Sequence, residues 1–259
     1  MPESPPDATV TAGLVVIGNE ILSGRTKDVN VSYLARQLTA LGIQLAEVRM
    51  VRDEERAIIA AVNTLRASHN YVFTTGGIGP THDDITCEAV ARAFNLPYRI
   101  HPEAKRILED FYRDTGRELN EARMRMAHTP EGATLIDNPV SRAPGFRVEN
   151  VHVLAGIPAV MRAMFESVAP TLKGGRTVRS REIAVLLGEG DVAARLEGLQ
   201  ERYPALEIGS YPFVRDGNFG TTLVLRGTDE AEITRAGDEL CTILRELGGE
   251  PGPPPAHVA

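Results

Sequence analysis

The chain has 259 residues, a formal net charge of −7, and 24% charged against 42% hydrophobic residues. That is an ordinary globular composition, long enough to bury one large core or two smaller ones. The acidic balance and the lack of a long basic run exclude a general nucleic-acid or membrane-surface binder. Cys87 and Cys241 are too few and too far apart for a disulfide framework or a metal motif, which predicts a reducing, cytoplasmic setting. The first seven residues lack a basic and then an apolar region, predicting no signal peptide, and no apolar run is long enough to span a bilayer.

Taken in chain order, residues 10–17 predict a buried strand ending at Gly18, followed by a polar loop over 19–28. Tyr33, Leu34, Gln37, Leu38 and Leu41 form a stripe at helical spacing, closed by Gly42. Residues 43–51 predict a second strand. Arg52 or Asp53 then opens a helix whose Ile58, Ile59, Val62 and Leu65 face inward, and 71–75 predict a third strand. Residues 87–94, 102–115 and 120–127 predict helices, and 134–136 a short strand. Residues 145–154 predict a hairpin turning at Glu149-Asn150, and Pro158 starts an apolar helix. Strands alternating with helices imply βαβ units and a mainly parallel sheet. Lys173-Gly174-Gly175-Arg176 marks a boundary. Beyond it, residues 179–187, 191–202, 206–213, 219–225 and 229–247 predict a small βαββα module of two layers. The Gly- and Pro-rich residues 248–259 predict a disordered tail.

The most informative run is Thr74-Thr75-Gly76-Gly77-Ile78-Gly79-Pro80-Thr81-His82-Asp83-Asp84-Ile85-Thr86. It lies between a predicted strand and a predicted helix, where open α/β sheets bind ligands. Glycines let the backbone approach an anion, and free N–H groups at a helix start attract phosphate. The adjacent Asp83 and Asp84 would repel a bare phosphate. The complement is a divalent cation or a reaction that needs an acid or base.

With Gly18-Asn19-Glu20-Ile21-Leu22-Ser23-Gly24, Asp28-Val29-Asn30, Val51-Arg52-Asp53-Glu54, Asn138-Pro139-Val140, Ala143-Pro144-Gly145-Phe146 and Gly156-Ile157-Pro158, that run resembles the amino-terminal region of the CinA family. This region is similar to the three-layer molybdopterin-binding fold of MoaB and MogA. The glycine run also resembles the amino-terminal domain of eukaryotic FAD synthases. The resemblance covers residues 8–172. Residues 176–247, with Leu187-Gly188-Glu189-Gly190-Asp191 and Gly209-Ser210-Tyr211-Pro212, resemble the smaller domain that follows in the CinA family. It implies either hydrolysis of an ADP-ribose- or FAD-like dinucleotide with Mg²⁺, Mn²⁺ or Co²⁺, or binding or adenylylation of molybdopterin. Asn19 stands where many CinA sequences have Asp, and Ala155 where they often have Pro. Long CinA proteins carry a carboxy-terminal amidase domain that this sequence does not show, so nicotinamide-nucleotide deamidation is not expected.

The candidate catalytic residues are Asp84, Asp83, Glu20 and Asp53, with Asp84 and Glu20 as metal ligands. The candidate ligand contacts are Thr75, Gly76, Gly77, Gly79, Thr81, Ser23, Gly24, Asn30, Ser141, Pro144 and Gly145. Several have plainer readings. Thr81-x-x-Asp84 has capping-box spacing, Asp53 suits a helix N-cap, and Asp28 or Asn30 suits another. Arg142 reads as a phosphate partner or a solvated surface group. His82 reads as a surface residue and Cys87 as a small buried one. The stripe of Met161, Met164 and Phe165 reads as core or subunit contact. The expected partners are a small phosphorylated ligand and a second copy of the chain, without nucleic acid or membrane. The 176–247 module is expected to serve assembly, with the chemistry in 8–172.

Overall fold

The computed structural model describes residues 9–215 and 217–254. Residue 8, the start of the chain and Asp216 of the expected 215–218 turn lie outside them. The chain divides into two compact units between Gly175 and Arg176. The first contains β1 (Val10–Ile17), α1 (Asn19–Leu22), α2 (Asn30–Ala40), β2 (Ile43–Val51), α3 (Glu55–Ser68), β3 (Tyr71–Thr75) and α4 (Thr86–Ala93). It continues with β4 (Tyr98–Ile100), α5 (Pro102–Asp114), α6 (Glu121–Met124), β5 (His128–Pro130), β6 (Thr134–Ile136), β7 (Gly145–Val148), β8 (Val151–Leu154) and α7 (Pro158–Val168).

Its six-stranded sheet runs in the order β2-β1-β3-β8-β7-β6, parallel from β2 through β8, with β7 antiparallel to both of its neighbours, β8 and β6. Alternation along β1 explains the three layers. Leu14 and Val16 pack with Leu34 and Leu38 of α2 and with Met161 and Phe165 of α7. Val15 and Ile17 face the other way, onto Ile58, Val62 and Leu65 of α3 and Val90 of α4. Met161, Met164 and Phe165 are therefore core, each no more than 1% exposed. Because α2 and α3 cover opposite faces, the chain reverses its winding at β1, between β2 and β3. Brändén's rule places ligand crevices of open α/β sheets at such a point, beyond the carboxyl ends of the strands.

The second unit is the expected βαββα module: β9 (Arg179–Val185), α8 (Glu189–Arg202), β10 (Glu207–Arg215), β11 (Asn218–Gly227) and α9 (Glu230–Glu246). Its antiparallel sheet, β10-β11-β9, packs Ile183, Leu223 and Leu225 against Val192 and Leu199 of α8 and Leu240 of α9.

Some expectations need correction. Asp53 does not open α3, whose N-cap is Glu54. Asp84 does not cap α4, which begins two residues later with Ile85 at the N-cap. Residues 19–28 include one helical turn, α1, and the short β4–β5 pair was not foreseen. The expected tail is not wholly disordered: Gly252 and Ala184 exchange two backbone hydrogen bonds of 2.8 and 2.9 Å. Residues 255–259 of that tail lie outside the described residues.

One core residue makes stability depend on pH. His152 of β8 stacks on Phe73 with centroids 5.1 Å apart, and its Nδ1 finds no partner among the described residues. Burial, reinforced by nearby Arg147, lowers its pKa from 6.5 to about 4. The neutral form is the folded form, so this stabilisation is complete above pH 6.5 and is lost as pH falls toward 4. At 1.36 kcal/mol per unit, the loss is on the order of 3 kcal/mol. Denaturant titrations between pH 7 and 4 are expected to show that extra loss in the native chain and not in His152→Phe. Identical slopes in the two proteins would refute it.

Candidate functional site

The registers Ile17↔Val51, Val16↔Thr75 and Thr75↔Leu154 align the carboxyl ends of β2, β1, β3 and β8. Helices α2, α3, α4 and α7 each follow one of these strands, so their amino-terminal ends gather on the same edge. The partial positive charge of those ends favours an anion there.

The glycine loop is built into this edge by backbone contacts. Gly76 has φ +102°, and a Cβ there would lie 2.1 Å from the Ile17 carbonyl oxygen. Its N–H donates to the Leu154 carbonyl at 3.2 Å. Gly77, at φ +67°, leaves room for the Thr86 hydroxyl, which donates to the Gly76 carbonyl at 2.9 Å. Gly156 approaches so closely that a Cβ on it would lie 3.1 Å from the Gly76 Cα. The loop after β3 is thus wedged between the ends of β1 and β8. The N–H groups of Gly77, Ile78 and Gly79 donate to no acceptor among the described residues.

Side chains converge on the same edge. The Asp53 carboxylate accepts from the Asn19 N–H at 2.8 Å, tying the end of β2 to the loop after β1. Glu20 folds back over Gly18, its carboxylate oxygens 2.7 and 2.8 Å from where a Cβ would stand. Asn30 is 5% exposed; its Nδ2 donates to the Gly156 carbonyl at 2.8 Å, while its Oδ1 has no partner among the described residues. The hydroxyl of buried Thr75 likewise has none among them. Unpaired buried polar atoms are rare and call for a ligand or water. Neither Asp28 nor Asn30 is the N-cap of α2, which is Val29; Asp28, just before it, accepts from the Val31 N–H at 2.9 Å.

Asp84 locks the turn ahead of α4. Its Oδ2 accepts from the Thr81 N–H at 2.8 Å and from the Thr81 hydroxyl at 2.5 Å, and lies 2.6 Å from the Cβ position of Gly79. Hydrogen bonding to Thr81, then to its own backbone N–H, with His82 adding a smaller effect, lowers the pKa of exposed Asp83. It stays a carboxylate at neutral pH. Burial pushes the Cys87 thiol up to about 12, so it is no nucleophile.

Other candidates stand apart. Ser23 donates to the Glu20 carbonyl, and Gly24 is exposed; both shape the turn after α1. The Ser141 hydroxyl accepts from Asn138, which holds the 138–143 loop through four hydrogen bonds. Pro144 and Gly145 are both buried, and the Cβ position of Gly145 is filled by the Val153 carbonyl and the Met164 methyl. Gly145 permits strand and helix packing. Arg142 lies 3.8 Å from Asp137.

A hollow of ≈ 670 Å³ lies elsewhere in this unit, between α5 and the 137–142 loop. Its charged lining is paired, Arg106 with Glu103 and Arg142 with Asp137, and it holds no unpartnered buried polar atom among the described residues. The glycine-loop edge has both unpaired polar atoms and free amides, which makes it the better ligand site. Gly156 and Asn19 stand in motifs that carry the family resemblance, but neither was among the candidate catalytic or ligand-contact residues.

Known proteins with similar sequences fit this division of the chain. Residues 13–174 match the family described as "Probable molybdopterin binding domain", and residues 177–248 match "FAD synthase, middle domain". A protein of Aeropyrum pernix is 35% identical over 256 residues, covering 92% of this chain and 95% of its own. A CinA-like protein of Geobacter metallireducens is 34% identical over 250 residues, covering 91% of this chain and 59% of its own. The crystal structure of the protein CinA, of unknown function, from Thermoplasma acidophilum aligns with a TM-score of 0.59 at 30% identity, over 63% of this chain and 99% of that one.

Proposed function

The chain belongs to the family of probable molybdopterin-binding domains, in its CinA-like form, and from that premise we propose that the loop 76–79 binds a phosphorylated nucleotide- or pterin-like ligand. We propose further that the chain hydrolyses a dinucleotide pyrophosphate of the ADP-ribose or FAD type with a divalent cation. The observation that carries the reading is the wedged glycine loop. It offers three free amides on the same sheet edge as the Thr75 hydroxyl and the Asn30 Oδ1, which have no partner among the described residues. The FAD-synthase match of residues 177–248 favours FAD as the first dinucleotide to try. With both cysteines free thiols, we place the activity in the reducing cytoplasm.

In this reading the amides of Gly77–Gly79 hold one phosphate. Asn30 positions Gly156 against Gly76. Asp53 fixes the Asn19 turn, and Asp84 or Glu20 orients the attacking water and takes its proton. Among the described residues, no three His, Cys, Asp or Glu side chains are grouped to hold an ion. Asp84 and Glu20 therefore fit a hard cation only alongside phosphate oxygens, which is how Mg²⁺ is commonly bound. Such an ion would neutralise pyrophosphate charge and lower the pKa of water.

The test is to incubate purified protein with FAD, ADP-ribose and molybdopterin, with and without Mg²⁺, Mn²⁺ or Co²⁺, and to follow products by chromatography. Mononucleotide products that disappear with EDTA are expected. Calorimetry should detect no ion binding to the free protein, and binding once a dinucleotide is present. Tight binding without product across the panel would refute the hydrolase. The family match over residues 13–174 favours molybdopterin binding or adenylylation as the second reading. Molybdopterin retained unchanged, or converted with ATP to an adenylylated product, would establish it.

A further inference from the structure

Strand β2 lies at one edge of the six-stranded sheet and, among the described residues, is laddered to β1 alone. The Gly18 N–H donates to the Val51 carbonyl. Val51, and by alternation Arg49 and Glu47, thus turn their backbone groups toward β1, leaving those of Val48 and Met50 on the free edge. Such an edge is a template for another strand, and proteins commonly guard it with proline, lysine or brevity. β2 has nine residues with no proline and no lysine, and its one irregularity is the register shift that skips Ala46. Val48 and Met50 lie opposite Leu14 and Val16 on the α2 face, yet remain 36% and 47% exposed.

We infer that β2 pairs antiparallel with β2 of a second copy about a twofold axis at Val48. The run Glu47-Val48-Arg49 is self-complementary about that axis and about no neighbouring one. With the axis at Val48, the two valines form a hydrogen-bonded pair through their free backbone groups. Each Glu47 then faces Arg49 of the other copy at non-hydrogen-bonded positions, where side chains come closest. An axis at Glu47 sets acid against acid, and one at Arg49 sets base against base. Within one chain, Arg49 Nε and Glu47 Oε1 are already 2.7 Å apart with partly exposed side chains. Pairing therefore closes a ring of four alternating charges. The skipped Ala46 restricts the regular ladder to the centre and marks its ends. The contact is isologous, as a closed dimer requires, and it moves self-association from the second unit, where the sequence reading put it, to the first.

Light scattering on the full chain tests the pairing. The native chain is expected at twice 28.1 kDa, and Arg49→Glu at the monomer mass with an unchanged far-UV spectrum. The double variant Glu47→Arg/Arg49→Glu restores opposite charges across the axis and should recover the dimer, which separates pairing from local damage around Glu47. Should Arg49→Glu fail to fold, Val48→Lys on the exposed face sets two ammonium groups at the axis and is expected to be monomeric. A monomeric native chain, an odd-numbered oligomer, a double variant that stays monomeric, or a dimer indifferent to these substitutions overturns the inference.

Discussion

Replacing Asp84 by asparagine is expected to lower turnover of a dinucleotide by at least about a hundredfold, the low end of general acid–base effects. The same change should alter stability little. The asparagine side chain keeps an amide oxygen that can accept from the Thr81 N–H and hydroxyl, the two bonds the carboxylate now accepts. Removing the acceptor altogether with Asp84→Ala frees that turn, with an expected loss of about 1 kcal/mol. The two substitutions separate chemistry from turn-locking. Steady-state rates with FAD and ADP-ribose, beside melting curves, decide the matter. Normal turnover in Asp84→Asn would remove the residue from the mechanism and leave it a structural acid.

The second large effect is expected at Gly76. Alanine there must hold φ near +102° and place its methyl 2.1 Å from the Ile17 carbonyl oxygen. Backbone strain and overpacking each contribute roughly 1–3 kcal/mol, so Gly76→Ala should destabilise by about 3 kcal/mol or more and abolish ligand binding. Gly24 supplies the control. It also has positive φ, +73°, but nothing lies within 4 Å of its Cβ position. Gly24→Ala therefore carries strain alone, about 1 kcal/mol. Urea unfolding of the two variants compares them directly. Equal losses would mean that the loop is not wedged tightly against the end of β1.

These residues show how far the sequence could be read. The strands 10–17, 43–51 and 71–75 and the βαββα module were legible because apolar periodicity reports burial. The glycine run was legible as a special turn because glycines clustered between a strand and a helix mark backbone that needs positive φ or close approach, as Gly76 and Gly77 do. The side-chain partners were not. Asp53 has the chemistry of an N-cap, and the residue that claims it, Asn19, lies 34 positions away in a loop that only the sheet brings near. The spacing Thr81-x-x-Asp84 did signal a mutual bond, but periodicity could not say that α4 begins later, at Thr86. Gly145 read as a ligand contact because its neighbours match a family motif, whereas its lost Cβ makes room for Val153 and Met164. Local pattern reveals which turns are special; only tertiary neighbours reveal what fills them.

The ligand is expected on the carboxyl edge of the parallel strands, at residues 75–79. The most direct measurement is amide mapping of the ¹⁵N-labelled protein during titration with ADP-ribose, using Asp84→Asn so that the ligand persists. The largest shift changes are expected at Gly77, Ile78 and Gly79, with smaller ones at Asn19, Asn30 and Gly156. Changes confined to α5 and the 137–142 loop, or to residues beyond Arg176, would place the ligand elsewhere and rule out the glycine-loop site.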